Sequence, residues 1–324
     1  MMNERILQLF ADHPDEYLSG EELSRRLNCS RTAIWKHIES LRKEGYRFDA
    51  ASRKGYKLLH RPERLQMAKL LNGLETTVMG QKLHIFDQLD STQTMAHRLV
   101  AEGAPEGTLV IAEEQTAGRG RMGRKWHSPR GKGIYMSLVL KPRVPVFFTP
   151  QLTLLTAVAV CRAIRKFVGV DVGIKWPNDL LIAGKKVCGI LLEISGDDER
   201  LKYVIAGIGI SANLEPEDYS EELRKIATSL AIEKGEPIER EALIQAILKD
   251  FEELYQLYNE QGFAPIRMLW EALSVSLHKA IRVQSPAREW IEGIAESIDD
   301  TGALTVRTAD GNRFRVFSGE VELR

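Results

Sequence analysis

Residues 118–131 decide which class of catalytic domain this chain contains. They read Gly118-Arg119-Gly120-Arg121-Met122-Gly123-Arg124-Lys125-Trp126-His127-Ser128-Pro129-Arg130-Gly131. The stretch from Gln115 to Gly133 has no acidic residue and carries six Lys or Arg and five Gly. Glycine lets backbone N–H groups come close to phosphate oxygens, and arginine adds charge-assisted bidentate hydrogen bonds. The stretch therefore predicts a loop that binds the phosphates of a nucleotide.

Two widespread nucleotide-binding folds are excluded by the same residues. The segment from Gly118 to Gly123 matches Gly-x-Gly-x-x-Gly, but the residues after it include Pro129 and cannot form the helix that a dinucleotide-binding fold requires there. A Walker A loop needs Lys followed by Ser or Thr after its second glycine, whereas Arg124 and Lys125 occupy these positions. The strand and helix patterns around the loop instead predict an α+β catalytic domain with one mixed sheet over residues 62–275.

The amino-terminal residues 1–61 predict a winged helix-turn-helix. Ser19, three residues before Glu22, is a helix start, residues 28–30 form a tight turn before a second helix, and residues 46–49 and 55–59 read as a β-hairpin. Since any short three-helix unit shows similar spacing, it is the local charge that favours DNA: residues 23–61 contain eleven Lys or Arg against three acids. The predicted DNA contacts are Ser30, Arg31, Thr32, Trp35, Lys36, Arg53 and Lys54.

The carboxy-terminal residues 276–324 predict a small SH3-like β-barrel. About five short alternating strands are separated by turns at residues 299–302 and 309–312. The chain is therefore predicted to be a multi-domain α+β protein with three parts.

Composition limits the cellular setting. The chain is 44% hydrophobic and 28% charged, and by our count no apolar run approaches the roughly 20 residues of a membrane helix. The first ten residues lack the apolar core of a signal peptide. The three cysteines include no Cys-x-x-Cys pair, and the histidines show no metal-ligand spacing. We expect a cytoplasmic protein with reduced cysteines, no protein-bound metal site and no membrane partner.

A second polar cluster lies farther along the chain. Residues 175–179, Lys-Trp-Pro-Asn-Asp, end a predicted strand, and residues 184–191 soon add two cations and Gly189. A surface turn is the simpler interpretation of residues 175–179 alone. Their closeness to the second group of cations instead suggests that both belong to one site.

The chain resembles the bifunctional biotin protein ligases that also act as biotin operon repressors, the BirA type. The resemblance covers the whole chain and is carried by residues 90–93 (Asp-Ser-Thr-Gln), 118–126, 175–180 and 319–324 (Gly-Glu-Val-Glu-Leu-Arg). It implies that ATP with Mg²⁺ activates biotin as biotinyl-5′-AMP, which then biotinylates a lysine of a biotin carboxyl carrier protein. It also implies operator DNA as a partner, and a homodimer for which biotinyl-5′-AMP is the corepressor.

The resemblance also implies the roles of individual residues. Ser91, Thr92 and Gln115 would bind the biotin ring, and Trp126 would cover its tail. The implied biotin-binding residues are Ser91, Thr92, Gln93, Gln115, Gly118, Arg119, Gly120, Arg121, Trp126, Lys186, Gly189 and Gly207. The implied nucleotide-binding residues are Arg121, Arg124, Trp126, Lys175, Asn178, Asp179, Ser211, Glu320 and Arg324. The implied catalytic residues are Arg119, Arg121, Lys186, Lys175 and Asp179.

Two departures from the family pattern and several alternatives accompany these assignments. Gln93 stands where relatives often have Asn, and Ser211 where they commonly have Asn, so Asn213 is the candidate substitute for the adenine contact. Residues 187–194 are the strand nominated for the dimer contact. A ligand-sensing repressor without ligase activity and a lipoate or octanoate ligase remain alternative functions. Trp126 and Trp176 could instead be core aromatics, and Lys186 a solvated charge.

Overall fold

The structure, a computed structural model, describes residues 2–43, 45–51, 54–60, 64–196, 201–284 and 290–323. The chain divides into two compact units, Met1–Arg64 and Leu65–Arg324. Two of the predicted site residues, Arg53 for DNA and Arg324 for the nucleotide, lie outside the described residues.

The first unit is a helix-turn-helix followed by a β-hairpin. Its elements are α1 (Met2–Asp12), α2 (Gly20–Leu27), α3 (Arg31–Lys43), β1 (Arg47–Ala51) and β2 (Gly55–His60). Ser19 caps α2 by accepting a hydrogen bond from the Glu22 backbone N–H at 3.0 Å, as predicted. Asn28 ends α2 in the left-handed conformation, which an Asn tolerates, and so forms the tight turn before α3.

The core of this unit explains which face of α3 is free. Ile34, Ile38 and Leu41 are fully buried against the other helices and the hairpin. Because residues three and four apart share a helix face, the opposite face of α3 is left to solvent. The predicted DNA contacts Thr32, Trp35 and Lys36 are exposed on this face, and Arg31 is exposed at the first residue of α3.

The second unit is built on a mixed sheet. Its helices are α4 (Met67–Asn72), α5 (Thr92–Ala101), α6 (Thr149–Phe167), α7 (Glu221–Ile226), α8 (Leu230–Lys234), α9 (Arg240–Gln261) and α10 (Ala264–Leu273). Short 3₁₀ turns span Arg121–Gly123, Val146–Phe148 and Pro216–Asp218. Its first strands are β3 (Leu83–Phe86), β4 (Leu109–Ala112), β5 (Ile134–Leu140), β6 (Gly173–Lys175), β7 (Asp179–Ile182), β8 (Lys185–Gly196) and β9 (Leu201–Ile210). Within the described residues these seven strands pair in the order β3-β4-β5-β9-β8-β7-β6, and only β3 and β4 run parallel.

The two faces of this sheet have different roles. Val204, Ala206 and Ile208 of β9 join the main core with α6 and α9. Because side chains alternate along a strand, the odd-numbered residues of β9 face the other side, where Ile205 packs against Ala96 of α5. A single helix covers only part of that second face, which leaves room for a site beside α5.

Helix α6 contradicts the expectation that no apolar segment approaches the length of a membrane helix. With the 3₁₀ turn before it, the segment Val146–Phe167 is long and apolar enough to cross a membrane, with a mean hydropathy of 1.5. However, 67% of this apolar stretch is buried inside the protein, where α6 packs against α9 and α10. The composition of α6 therefore reflects its position in the core.

Residues 187–194 of β8, which we nominated for the dimer contact, lie only partly at an edge of the sheet. Strand β7 pairs with residues 185–189 of β8, so the first residues of the nominated segment, 187–189, lie inside the sheet. Beyond Ile190, whose N–H donates to the Asn178 carbonyl, no strand of the described chain pairs with this side of β8. The open edge is therefore residues 191–196, because β7 is too short to cover it.

The carboxy-terminal strands form an antiparallel sheet that shares the core of the second unit. They are β10 (Ala280–Gln284), β11 (Trp290–Ile298), β12 (Leu304–Arg307), β13 (Arg313–Val316) and β14 (Val321–Leu323), in the order β13-β12-β11-β10-β14. Trp176 is 1% exposed, and its indole N–H donates to the Gly302 carbonyl at 3.2 Å. Trp176 is therefore a core residue between the two sheets.

Candidate active site

Three glycines form the floor of a depression on the second face of the sheet. Gly189 of β8 pairs with Gly209 of β9, and Gly207 pairs with Leu191. A Cβ atom on Gly209 would lie 2.5 Å from Trp126 Nε1, and one on Gly189 would lie 3.0 Å from Trp126 Cζ3. A Cβ on Gly207 would lie 2.7 Å from Gln93 Nε2. The missing side chains thus create the space in which Trp126 and Gln93 lie against the sheet.

The predicted biotin-ring residues gather at the start of α5. Ser91 caps the helix, and the Thr92 N–H and hydroxyl donate to Gln115 Oε1 at 2.9 and 3.1 Å. The Gln115 amide donates to Ser128 at 3.0 Å, and Ser137 of β5 donates to the Thr92 hydroxyl at 2.8 Å. The helix start and the two ends of the cationic loop are therefore held together by a single hydrogen-bond network. The sequence showed no signal for Ser128 in the loop or Ser137 of β5, because only folding brings them to Gln115 and Thr92.

Two buried polar atoms beside this network have no partner among the described residues. Gln93 donates through Nε2 to the Leu191 carbonyl at 2.8 Å, while its Oε1 is buried without a donor. The Trp126 indole nitrogen is likewise buried without an acceptor. A buried polar atom without a hydrogen bond costs about 1–3 kcal/mol, and a ligand with N–H and C=O groups would remove this cost. The pocket is therefore suited to a polar ring such as a cyclic urea.

The predicted nucleotide residues lie on the other side of Trp126. Lys186 Nζ is 5.4 Å from the centroid of the Trp126 ring and 2.6 Å from Asp179 Oδ1. Arg121 Nη1 donates to Asn178 Oδ1 at 3.0 Å, and Asn178 Nδ2 donates to the Ile190 carbonyl at 2.8 Å. Asn178 therefore orients Arg121, which extends its expected role.

Partial burial makes the cations Arg121 and Lys175 favour an anionic ligand. Burial lowers the pKa of Arg121, with the nearby Asp179 carboxylate partly offsetting it, and burial lowers the pKa of Lys175 in the same way. Arg124 in the loop donates a hydrogen bond to Glu320, which lies just before β14. This hydrogen bond lowers the pKa of Glu320. Because partial desolvation penalises the cationic form, an incoming phosphate would stabilise both Arg121 and Lys175.

Most cations of the loop already have carboxylate partners. Arg119 pairs with Glu193, Arg124 with Glu320, Arg130 with Glu114, and Lys132 with Asp218. Arg121 instead binds an amide. The sequence-based picture of six equivalent cations is therefore too simple, and Arg121 is a half-buried loop cation without a carboxylate in ion-pair contact within the described residues.

The structure shows what holds Asn213 and Ser211, the two residues considered for the adenine contact. Asn213 donates through Nδ2 to the Ile238 carbonyl at 2.9 Å and accepts from the Ile238 N–H at 2.7 Å, so its amide is used within the fold. These bonds fix the Asn213 side chain against the Ile238 backbone. Ser211 is 6% exposed, and its hydroxyl bonds to Tyr219, a residue that the sequence did not indicate.

Comparison with known proteins identifies the family. Residues 85–211 match the biotin/lipoate A/B protein ligase family, residues 3–57 match the HTH domain, and residues 277–324 match the biotin protein ligase C terminal domain. The chain is 48% identical to the bifunctional ligase/repressor BirA of Bacillus subtilis over 98% of this chain and 97% of that protein. The chain belongs to the bifunctional biotin ligase/repressor family.

More distant members of the family agree. BirA of Escherichia coli is 31% identical over 99% of this chain and 96% of its own length. The biotin protein ligase of Aquifex aeolicus, solved in complex with biotin and ATP, superimposes with a TM-score of 0.65 at 30% identity and covers 75% of this chain and 99% of its own. The family thus accounts for the winged helix, the mixed sheet and the antiparallel carboxy-terminal sheet.

Proposed function

We propose that this chain is an ATP-dependent, AMP-forming biotin protein ligase that also represses transcription in response to biotin, in the cytoplasm. The observation that carries this proposal is its 48% identity, along almost the whole of both chains, to a protein named for both activities. The helix-turn-helix unit supplies a DNA-binding surface, and the buried unpaired atoms of Gln93 and Trp126 suit a cyclic urea.

The reaction proceeds in two steps. The biotin carboxylate attacks the α-phosphate of ATP, which gives biotinyl-5′-AMP and releases pyrophosphate. The ε-amine of a lysine on a biotin carboxyl carrier protein then attacks the biotinyl carbonyl, loses a proton and releases AMP. No residue of this chain becomes covalently modified, so catalysis rests on positioning and charge neutralisation.

We assign the biotin pocket as follows. The ring lies among Ser91, Thr92, Gln93 and Gln115, and Trp126, which packs on the glycine floor, covers the tail. Gly118 and Gly120 complete the pocket from the loop, and Gly118 lets the loop stem close, because a Cβ on it would lie 2.6 Å from the Trp126 carbonyl. A lipoyl ring has no N–H donors, so it would leave Gln93 Oε1 unpaired, and this favours biotin over lipoate or octanoate.

We assign the phosphates to the cations beside Trp126. Arg121 and Lys175 bind phosphate oxygens, Lys186 stabilises charge on the α-phosphoryl group during attack, and Arg119 binds the biotin carboxylate. Glu320 with Arg124 closes the nucleotide side. Asp179 is the carboxylate that would hold Mg²⁺ together with the phosphates, which suits an ion usually bound by one or two carboxylates. The ion would supply charge neutralisation.

We propose that the homodimer forms by antiparallel pairing of two β8 edges over residues 191–196. An open strand edge presents unpaired N–H and C=O groups that a second copy satisfies by twofold symmetry. Biotinyl-5′-AMP acts as corepressor because it contacts the same strand through the glycine floor.

One assay discriminates the candidate functions. The full chain is incubated with ATP, Mg²⁺, labelled biotin and a biotin carrier domain, and label on the carrier is measured with and without a lipoate competitor. We expect transfer that excess lipoate does not inhibit. Ligand-dependent operator binding without any transfer would identify a repressor that only senses biotin, and inhibition by lipoate would identify the other ligase class.

A further inference from the structure

A cluster of titratable side chains that has no role in the proposed ligand contacts touches the ligand loop. Glu193 Oε2 accepts a hydrogen bond from Arg119 Nη2 at 3.0 Å and lies 2.9 Å from His97 Nε2. His97 Nδ1 is 3.1 Å from the Tyr203 hydroxyl, and these two rings pack edge-on with their centroids 5.7 Å apart. This Glu193 cluster connects the loop with α5, β8 and β9.

The cluster borders the biotin pocket. Since side chains alternate along β8, Glu193 shares a sheet face with Gly189 of the pocket floor and with Leu191. The Leu191 carbonyl binds Gln93, and His97 follows Gln93 by one helical turn on α5. Each member of the cluster is thus a near neighbour of a proposed biotin-binding residue, while Glu193 itself has no proposed ligand contact.

We infer that Glu193 is a positioning residue for Arg119 in biotin activation. A guanidinium has five N–H donors, so the bond to Glu193 leaves donors free for the biotin carboxylate. The Arg119 side chain is 43% exposed, and without Glu193 it would sample many rotamers. Holding it in place before biotin arrives reduces the entropy lost on binding. His97 and Tyr203 orient the carboxylate in turn. The inference rests on the proposed role of Arg119.

The test is the steady-state kinetics of adenylation by the full chain carrying Glu193→Gln. We expect the KM for biotin to rise roughly three- to tenfold, because a partly exposed charge-assisted hydrogen bond is weakened. The kcat and the KM for ATP should change less than about twofold. Glu193→Asp, which keeps the charge, should recover part of the loss, a pattern that a merely structural role would not produce.

Two further variants separate the possible failures. The matched control is Glu296→Gln, which removes a strand-borne carboxylate bound to Arg313 at 2.6 Å in the carboxy-terminal sheet, and its KM for biotin should match the unmodified protein. In an Arg119→Ala background, Glu193→Gln should add nothing.

The outcomes are distinct. If Arg119→Ala raises the KM for biotin while Glu193→Gln leaves it unchanged or lowers it, the positioning role is overturned and Glu193 instead competes with the ligand. If Arg119→Ala itself has no effect, the proposed role of Arg119 fails, and the inference with it. Equal losses in every parameter, unrescued by Asp, would make Glu193 a fold residue and also overturn the inference.

Discussion

At the residue scale, the site depends on three strand residues that have no Cβ atom. Gly189, Gly207 and Gly209 adopt ordinary strand conformations, so backbone strain does not require glycine there. Close approach does, because Trp126 and Gln93 occupy the space that a Cβ would fill. The glycines were visible in the sequence, but only the strand register shows that they lie side by side.

Gly209→Ala tests this floor. The added methyl group would meet the Trp126 indole, so we expect Trp126 to move and biotin affinity to fall by roughly tenfold or more, with little change in fold stability. Titration calorimetry with biotin measures the effect. Gly20→Ala, where the nearest atom to a Cβ is 3.9 Å away, is the control, and an equal loss there would contradict the steric account.

Arg121→Gly tests the half-buried loop cation. Removing a charge-assisted bond to the adenylate phosphate should weaken retention of biotinyl-5′-AMP by about 1.5–3 kcal/mol, so the intermediate should be released into solution faster. Release can be followed by rapid dilution and quantification of free adenylate. Arg143→Gly removes an exposed cation outside the site, and equal release from both variants would argue against a specific grip.

At the element scale, the structure changes the meaning of the cationic loop. Its strand-like stem is fixed at both ends: the Trp126 N–H donates to the Gly118 carbonyl at 2.9 Å, and the Gly131 N–H donates to the Glu113 carbonyl at 3.0 Å. Paired carboxylates neutralise four of its cations, so the loop is an ordered framework that presents Arg121. Composition alone could not separate these roles, since the partners are far away in sequence.

The stem of the loop also rests on a buried ion pair. Arg240 at the start of α9 binds Glu113 at 2.8 Å and the Gly133 carbonyl at 3.1 Å, and both charged side chains are 3% exposed. We expect Arg240→Ala to lower the free energy of unfolding by about 3–5 kcal/mol, because the Glu113 charge would remain buried without its partner. Urea unfolding measures this. Arg267→Ala, at a pair in which Arg267 is 34% and Asp300 89% exposed, should cost under about 1 kcal/mol, and similar costs for both would refute a special role for burial.

The open edge of β8 makes a prediction about assembly. Ile194 is 46% exposed at this edge, and a charge placed there should oppose pairing of two copies. We expect Ile194→Lys to weaken ligand-induced dimerisation at least about tenfold in sedimentation experiments and to leave biotinyl-5′-AMP synthesis unchanged. Met268→Lys, at an exposed residue of α10, is the control. Unchanged dimerisation would mean that the copies pair through another surface.

At the scale of the whole molecule, the two units divide the two functions. The boundary falls at Arg64 and Leu65. The Leu65 N–H donates to the Glu113 carboxylate and the Gln66 N–H to the Glu241 carboxylate. These hydrogen bonds hold the first residues of the second unit in place. The carboxy-terminal sheet, by contrast, shares its core with the catalytic sheet.

Removal of residues 1–61 tests this division. We expect operator binding to be lost and most of the biotin transfer to remain, because Leu65 and its carboxylate partners are retained. Gel-shift and carrier-labelling assays measure the two activities. A truncation that also removes residues 62–70 should destabilise the catalytic unit, and complete loss of transfer in the shorter truncation would show that the first unit contributes to the ligase site.

The sequence by itself determined the order of the three parts and the family, and it nominated the candidate site residues. These features are written in local patterns: the Ser19 cap, the apolar face of α3, the glycine and arginine loop and the alternating terminal strands. Tertiary structure decided which of those residues are available for ligands. It placed Trp176 in the core, engaged Asn213 with Ile238 and brought Glu193 to Arg119. The physical reason is that hydrogen bonds and ion pairs form between residues whose separation along the chain carries no information about their distance in space.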